Sequence, residues 1–247
     1  MTYIDKVIKK MKSRLFVRTH ESVYENAVKY MFINKKTDKL LIVFSAFTGE
    51  KRRYNYFTSL TDIKASQLYI LDTWGNLGSY YWFEDGKSEP EKLVEGLITS
   101  IVKRYGIKEI YTAGTSKGGT AAIYFGLKMK ATNIYSGACQ YRVGTYLSRD
   151  EHISILQGMM GKDTDDVKDL LDRKIEQQFQ NGINQECGIH LFYSQKEQTY
   201  ERQIVPLKAD LEKYGYRYEE TVNNFPKHDD VGKFFPFYLK EQIQSIL

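Results

Sequence analysis

The apolar residues of this 247-residue chain alternate between short continuous runs and longer stretches with helical spacing. Residues 40–44 read LLIVF, a run typical of a strand that is covered on both faces. A segment with one apolar helical stripe follows over 90–105, and a second strand-like run covers 108–113. This alternation predicts a mostly parallel central sheet with helices on both faces, a three-layer α/β sandwich.

The rest of the chain follows the same alternation of strands and helices. Residues 2–12 are predicted as a helix, and residues 15–19 and 27–34 as strands, the second with an alternation that favours an antiparallel edge. Further predicted elements are strand 67–71, helix 119–129, strands 131–136 and 188–193, a helix ending near 214, strand 217–221 and helix 234–246. Pro206 predicts a kink or a late start in the helix before 214.

A long segment, residues 140–187, separates two of the predicted strands. Its polar helix, predicted over 163–179, carries four apolar residues on one face, namely Val167, Leu170, Leu171 and Ile175. Two interpretations stay open: a cap over a pocket, or a peripheral helix packed on the scaffold. With only four prolines and no linker-like or repeated stretch, residues 1–247 are expected to form one domain that contains this insertion.

Charge and composition narrow the classes of partner. The net charge of +5 is modest, and the twenty tyrosines are spread over the chain rather than interleaved with a basic stripe, which argues against nucleic-acid binding. Two cysteines and four scattered histidines offer no metal-ligand spacing, so neither a metal nor a cofactor is expected. The N-terminus lacks a signal-peptide core and no run is long enough to span a membrane, which favours a cytoplasmic protein. The sequence does not fix the oligomeric state.

The segment Gly114-Thr115-Ser116-Lys117-Gly118 lies between a predicted strand and a predicted helix. In a strand-to-helix elbow a serine is strained and exposed, and small residues two positions before and after it let the neighbouring backbone pass. Ser116 is therefore a candidate nucleophile. A glycine-rich turn that only packs, or one that holds a phosphate at the helix N-terminus, is the alternative.

A serine nucleophile needs a base and a group that orients the base. His228 follows the last predicted strand and is the candidate base, whereas His190 lies inside a strand. Glu197 is the first carboxylate after the strand 188–193 and is the candidate acid, with Glu201 as its rival one turn later. Asp210 lies too deep in a helix for this role.

Two backbone amides should stabilise an oxyanion. The residue after the nucleophile, Lys117, is expected to supply one amide. The loop after strand 40–44 is expected to supply the other, from Ala46 or Phe47.

The loop at residues 72–85 is rich in aromatic residues and follows a strand. Trp74, Tyr80 and Tyr81 are candidates for stacking on a sugar, with loop packing as the alternative. The basic cluster at residues 51–53 could attract an anionic glycan.

With these motifs the chain resembles the α/β-hydrolase superfamily from about Leu40 onward. The Ser-Lys-Gly-Gly elbow, the LLIVFSAF segment and the Asp72-Thr73-Trp74 loop are similar to XcbB/CpsF-type capsule-biosynthesis proteins and to the acetyltransferase-like component of the accessory Sec system. The resemblance implies a Ser, acid, His triad that acts on an ester, often an O-acetyl group on a sugar. Glu197 stands where aspartate is commoner, and the oxyanion loop lacks a His-Gly-Gly run.

Two functions are compatible with these residues. The first is a serine esterase, deacetylase or O-acyltransferase that acts on an acylated sugar or small-molecule ester through an acyl-enzyme at Ser116. The second is a non-catalytic module of the same fold that binds a glycan or a partner in polysaccharide biosynthesis. A dinucleotide or P-loop site is disfavoured because the Gly-x-Gly-x-x-Gly and Walker spacings are absent.

Overall fold

A computed structural model describes residues 3–49 and 52–246 and contains one eight-stranded sheet. In chain order its strands are β1 Glu21–Tyr24, β2 Val28–Ile33, β3 Lys39–Phe44, β4 Ser66–Ile70, β5 Glu109–Thr115, β6 Asn133–Gly137, β7 Gly188–Ser194 and β8 Tyr218–Asn223. The spatial order is β1-β2-β4-β3-β5-β6-β7-β8. Strands β3 to β8 run parallel to one another, whereas β1 and β2 are antiparallel to their neighbours, as the alternation in 27–34 predicted.

The helices lie on both sides of this sheet. They are α1 Tyr3–His20, α2 Glu89–Tyr105, α3 Lys117–Lys128, α4 Val143–Leu147, α5 Ile153–Met160, α6 Asp165–Arg173, α7 Glu176–Gln180, α8 Val205–Lys213 and α9 Val231–Ile246. A π-helical turn, Tyr200–Ile204, precedes α8, so Pro206 lies in the first turn of the α-helix, where it costs no backbone hydrogen bond.

Two hydrophobic clusters form because successive strand side chains point to opposite faces. In β3, Leu40, Ile42 and Phe44 belong to the cluster beneath α2 and α3, whereas Leu41 and Val43 belong to the cluster that α9 covers. All five are at most 1% exposed. Burial on both faces explains why the run LLIVF is continuous and confirms the predicted central strand.

The prediction of a strand at residues 15–19 was wrong. Residues 15–19, predicted as a strand, continue α1, and the short strand β1 follows directly. Phe16 stacks on Phe57 at 5.7 Å between ring centroids and packs against the second cluster. Tertiary contact of this kind outweighs the weak strand preference of a Phe-Val pair.

The segment predicted as an insertion supplies four helices between β6 and β7, α4 to α7. The single predicted helix over 163–179 is two, α6 and α7. Val167, Leu171 and Ile175 are buried as expected, but Leu170 is 43% exposed. Helix α6 packs on α4, where Asp172 accepts hydrogen bonds from the Thr145 amide and hydroxyl.

One carboxylate ties this segment to the scaffold. Glu91 of α2 accepts from Lys128 of α3 at 2.6 Å, from Lys174 at 2.8 Å and from the Tyr124 hydroxyl at 2.6 Å. Burial acts to raise the pKa of Glu91, but the two ammonium groups and the hydroxyl outweigh it and lower the pKa from 4.5 to about 2.

We expect this cluster to make stability depend on pH in the acid range. A carboxylate whose pKa falls on folding stabilises the protein fully above its unfolded pKa and loses that contribution as pH falls through the folded pKa. The free energy of unfolding should therefore drop between pH 4.5 and about 2. In urea titrations over this range, Glu91→Gln should be less stable at neutral pH and show a shallower acid slope; an unchanged slope would exclude Glu91 as its source.

Among the described residues, no helix is both long enough and apolar enough to cross a bilayer. Lys51, part of the predicted basic cluster, lies outside the described residues.

Candidate active site

Ser116 occupies the turn between β5 and α3 with φ 54° and ψ −127°, a backbone conformation that side-chain-bearing residues rarely adopt. The tight turn explains its two flanking glycines. A Cβ at Gly114 would lie 2.2 Å from the Gly118 carbonyl oxygen, and one at Gly118 would lie 2.5 Å from the Phe44 carbonyl oxygen. Only glycine fits at either position, so the elbow geometry predicted from the sequence is present.

The backbone strain at Ser116 should be measurable as a difference in the free energy of unfolding between two variants. Both Ser116→Ala and Ser116→Gly remove the hydroxyl, but only glycine relieves the positive φ. We expect the glycine variant to be more stable than the alanine variant by about 1 kcal/mol. Glycine relieves the backbone strain of the folded state, and this gain is partly offset because glycine makes the unfolded chain more flexible. Denaturant unfolding of the two variants compares them directly. An alanine variant as stable as the glycine variant would contradict the strain.

Three predicted residues meet at the carboxyl edge of the sheet. The Ser116 Oγ lies 2.9 Å from the His228 Nε2, and the His228 Nδ1 lies 2.8 Å from a carboxylate oxygen of Glu197. They follow β5, β8 and β7, whose parallel carboxyl ends share this edge. With Nδ1–H donating to the carboxylate, Nε2 is left to accept the serine hydroxyl proton.

Glu197 is held in place by its surroundings. Its side chain is fully buried, and its second carboxylate oxygen accepts from the Thr199 hydroxyl at 2.7 Å. The rival Glu201 is exposed. Asp210 accepts hydrogen bonds from the Tyr141 hydroxyl and the Arg142 guanidinium. Of these three acids, Glu197 is the one bonded to His228.

Gln140 is a site residue that sequence reasoning missed. Its side-chain Nε2 donates to the Ser116 Oγ at 2.8 Å and lies 3.3 Å from the His228 Nε2, and the residue is fully buried. Two backbone contacts fix it to α3: Gln140 N–H donates to the Thr120 hydroxyl at 3.0 Å, and that hydroxyl donates to the Gln140 carbonyl at 2.7 Å. Its position three residues after β6, the neighbour of the elbow strand, was the available signal.

The side chain of Lys117 points into the protein beneath the elbow. Its Nζ lies 2.7 Å from an Asp72 carboxylate oxygen, and both side chains are 1% exposed. Burial lowers the pKa of the Lys117 ammonium, an effect that Asp72 opposes. The same Asp72 oxygen accepts the Ser79 amide at 2.7 Å and the Tyr81 amide at 3.3 Å, so this ion pair joins the elbow to the loop after β4.

The loop after β3 was predicted to supply an oxyanion donor. The Ala46 amide donates to the Asn55 side-chain oxygen at 2.9 Å and is thus already engaged. This leaves Phe47 as the predicted second donor beside Lys117, whose amide lies in the first turn of α3, where backbone N–H groups lack helical partners. The Tyr81 hydroxyl accepts the Ser45 amide at 2.6 Å and so anchors the start of this loop.

The prediction that Trp74, Tyr80 and Tyr81 stack on a sugar is wrong. Tyr80 and Tyr81 are fully buried and Trp74 is 5% exposed, so no ring face is open to a ligand. Lys117 Nζ lies 4.4 Å from the Tyr81 ring centroid, and Trp74 packs on the same ring. The loop does follow a strand, as predicted, but its large rings pack in the core because their burial is energetically favourable.

A cleft of about 630 Å³ opens above Ser116 and His228. Helix α5 and the turn before it contribute Ile155 and His152, and Tyr146 comes from α4, so the first part of the segment between β6 and β7 covers the site. His152 stacks on Tyr146 with ring centroids 4.5 Å apart. The remaining lining residues include Phe47, Asn55, Tyr56, Leu77, Glu151 and Asp229.

Tyr56 is a second cleft residue that the sequence did not single out. Its hydroxyl lies 2.6 Å from the Thr115 hydroxyl, and burial raises its pKa to about 12, so it is a neutral phenol near pH 7. Its φ of 64° is another positive value beside the nucleophile. The cleft therefore presents hydroxyl and amide groups next to Ser116 and His228.

Neither a protein-family model nor a curated protein sequence matches the chain. Solved structures do. The capsule O-acetyltransferase of Neisseria meningitidis serogroup A superposes with a TM-score of 0.76 at 20% identity, over 91% of this chain and 94% of that chain. A mutant of that enzyme in complex with CoA superposes with a TM-score of 0.73 at 20% identity, over 90% and 94%.

Two other kinds of protein share the architecture. A chain of a glycosylation-associated protein complex from Streptococcus agalactiae has a TM-score of 0.74 at 16% identity, over 92% of this chain and 46% of that chain. The fluorophosphonate-binding serine hydrolase F of Staphylococcus aureus has a TM-score of 0.60 at 13% identity, over 88% and 90%. With its mixed eight-stranded sheet and helices on both sides, the chain has the α/β-hydrolase fold predicted from its sequence.

Proposed function

We propose that the protein transfers acyl groups through an ester formed on Ser116, with His228 as general base and acid and Glu197 as the group that orients it. The observation that carries this proposal is the continuous hydrogen-bonded chain from the Ser116 Oγ through His228 to a buried carboxylate, at 2.9 and 2.8 Å. Serine becomes a useful nucleophile when a base is within this distance and is itself oriented.

In the first half-reaction, His228 Nε2 takes the hydroxyl proton as Ser116 Oγ attacks the acyl carbon. The amides of Lys117 and Phe47 would donate to the carbonyl oxygen as it gains negative charge. His228 then returns the proton to the leaving group, and the acyl group stays on Ser116. In the second half-reaction, His228 activates water or a sugar hydroxyl, which takes the acyl group and frees the serine.

Gln140 is proposed to orient Ser116. An N–H donor 2.8 Å from Oγ directs the hydroxyl proton toward His228 and supports the oxygen while it loses that proton. Gln140→Leu keeps the approximate volume but removes the donor, so we expect acylation about tenfold slower, the effect of one hydrogen bond. Stopped-flow acylation by p-nitrophenyl acetate measures this rate.

Tyr80→Phe provides the matched control, since it removes only a 3.5 Å contact to the far end of the Gln140 side chain. It should leave the acylation rate within about twofold of wild type, because a contact of that length is a weak hydrogen bond. A folded Gln140→Leu variant that acylates at the wild-type rate would remove Gln140 from the mechanism.

For the substrate we propose an O-acyl group carried to or from a glycan hydroxyl. Support comes from the superposed capsule O-acetyltransferase and from its complex with CoA, which suggests a thioester donor. The cleft also fits a sugar, because its lining offers hydroxyl and amide groups for hydrogen bonds. The same lining includes the carboxyl groups of Glu151 and Asp229. A phosphate-bearing donor would place its acyl end at Ser116 and its phosphates away from these carboxylates.

Acetyl-CoA with and without a neutral oligosaccharide tests the proposal. Intact-mass spectrometry should detect one acetyl group on wild type, at Ser116, when acceptor is absent, and the group should leave faster when acceptor is added. Release at the same rate with water alone would make the enzyme an esterase. A protein that acquires no acetyl group from acetyl-CoA or from p-nitrophenyl acetate would contradict the proposal.

The alternative function, a non-catalytic binding module of the same fold, would not need a carboxylate that orients His228. Glu197 lies 2.8 Å from His228 Nδ1, which supports the catalytic proposal over that alternative.

A further inference from the structure

The first helix carries apolar side chains on the side that faces away from the protein. Val7, Ile8, Met11 and Leu15 are 39%, 46%, 64% and 63% exposed. At about 100° per residue they fall on one face of α1. Phe16, on the other side of the helix, packs against Phe57 and the second core cluster. Helix α1 is thus attached by one face and presents an apolar stripe on the opposite one.

Cationic side chains flank this stripe. Helical spacing places Lys10, Arg14 and Arg18 along one border and Lys12 along the other, and all four are exposed. Within the described part of the chain, none of the four forms an ion pair. The residues of α1 include six Lys or Arg and one Asp, a net charge of +5 that equals that of the whole chain. The excess positive charge therefore resides on this one helix.

A basic groove of about 500 Å³ runs between α1 and the chain at residues 52–54. Its cations are Lys10, Arg14, Arg18, Arg52 and Arg53. One carboxylate, Glu21, also lines it, and that group is already engaged by the Tyr54 hydroxyl at 2.9 Å and by Lys29 at 3.9 Å. Arg52 already donates from Nη2 to the backbone carbonyls of Gly75 and Asn76 at 2.5 and 3.1 Å. Lys10, Arg14 and Arg18 form no ion pair within the described residues, so their ammonium and guanidinium groups can bind phosphate oxygens.

We propose that α1 docks the protein on an anionic lipid surface. The stripe Val7, Ile8, Met11 and Leu15 would lie at the boundary of headgroups and acyl chains, and the flanking cations and the basic groove would contact headgroup phosphates. A cationic helix with an apolar outer face binds membranes in this orientation, in the plane of the interface. The helix lies on the bilayer and does not cross it, in agreement with its charge.

Charge complementarity selects this occupant. A second copy of the chain would bring a helix of net charge +5 against another of the same charge, so α1 pairing is disfavoured. An anionic membrane supplies opposite charge along the whole helix and an apolar layer for the stripe. The inference does not depend on the acyl-transfer proposal, because it uses none of the residues of the cleft.

Co-sedimentation with lipid vesicles tests it. Wild type should bind vesicles of equal parts phosphatidylcholine and phosphatidylglycerol, bind vesicles of phosphatidylcholine alone at least tenfold more weakly, and release as salt is raised. Replacing Lys10, Arg14 and Arg18 with Gln should weaken binding by about fivefold for each charge removed. The pair Met11→Glu and Leu15→Glu should abolish binding, and since both side chains are exposed, the fold should survive, as circular dichroism can verify.

Val222→Glu is the matched control. Val222 is 49% exposed and lies in β8, at the opposite edge of the sheet from β1. The Val222→Glu variant should therefore bind anionic vesicles as tightly as wild type does. The proposal would be overturned if the wild-type protein did not bind anionic vesicles, or if the α1 variants bound them as tightly as wild type does. Self-association, seen by size-exclusion chromatography and removed by the Met11→Glu and Leu15→Glu pair, would overturn it too, because the stripe would then be a protein interface.

Discussion

His228→Ala is expected to slow acylation of Ser116 by about 10⁴-fold or more, which makes it, after loss of the serine itself, the largest effect predicted for the site. With the imidazole gone, no described group that could accept the Ser116 proton remains within hydrogen-bond distance: Gln140, the other side-chain partner of Oγ, contacts it through an NH₂ donor. The rate with p-nitrophenyl acetate, measured beside the free energy of unfolding, separates a chemical defect from a folding defect.

Glu197→Gln tests the same chain one step further out. The amide can still contact His228 Nδ1 but no longer stabilises the imidazolium that forms as the serine loses its proton, so we expect about 10³–10⁴-fold slower acylation. His20→Ala, on an exposed histidine of α1, should stay within about twofold of wild type because no step uses it. Comparable losses in His20→Ala and His228→Ala would show that the assay reads something other than this site.

Lys117→Met is expected to destabilise the protein by about 3–5 kcal/mol, since it leaves the Asp72 carboxylate buried without its cation. Removing an ammonium from a pair with 1% exposure costs far more than removing one at the surface. The exposed pair Lys108 and Asp38, 3.5 Å apart, gives the matched control: Lys108→Met should cost under about 1 kcal/mol. Urea unfolding measures both.

The double variant Lys117→Met with Asp72→Asn removes both charges and keeps an acceptor oxygen for the Ser79 amide. It should recover most of the stability that Lys117→Met loses, because no uncompensated charge remains. A double variant as unstable as Lys117→Met alone would contradict this electrostatic account and indicate that shape at the elbow is what matters.

The fold was predictable because its signals are local. The continuous apolar run of β3 indicates a strand that is buried on both faces. The alternation of strands and helices along the chain is compatible with few sheet topologies. The positions of Ser116, His228 and Glu197 could be found in the same way, since each follows a strand whose carboxyl end meets the same sheet edge. Their chemical roles stay a prediction until activity is measured.

What the sequence did not reveal depends on contacts between distant segments. Gln140 reaches Ser116 only because β6 lies beside β5, and no motif marks it. Burial of Tyr80 and Tyr81 depends on the loop after β4 folding back over Lys117. The sequence alone left open whether these rings stack on a sugar or pack within the loop. The engagement of the Ala46 amide by Asn55 likewise requires a loop closure that hydrophobic patterning does not encode.

Labelling with a fluorophosphonate tests the central claim, that Ser116 is an activated nucleophile, most directly. The probe reacts irreversibly with a serine whose hydroxyl is deprotonated by a neighbouring base. Wild type should be labelled once, at Ser116, while Ser116→Ala should stay unlabelled and His228→Ala should react far more slowly. A correctly folded wild-type protein that resists the probe and cleaves no p-nitrophenyl acetate would contradict the account.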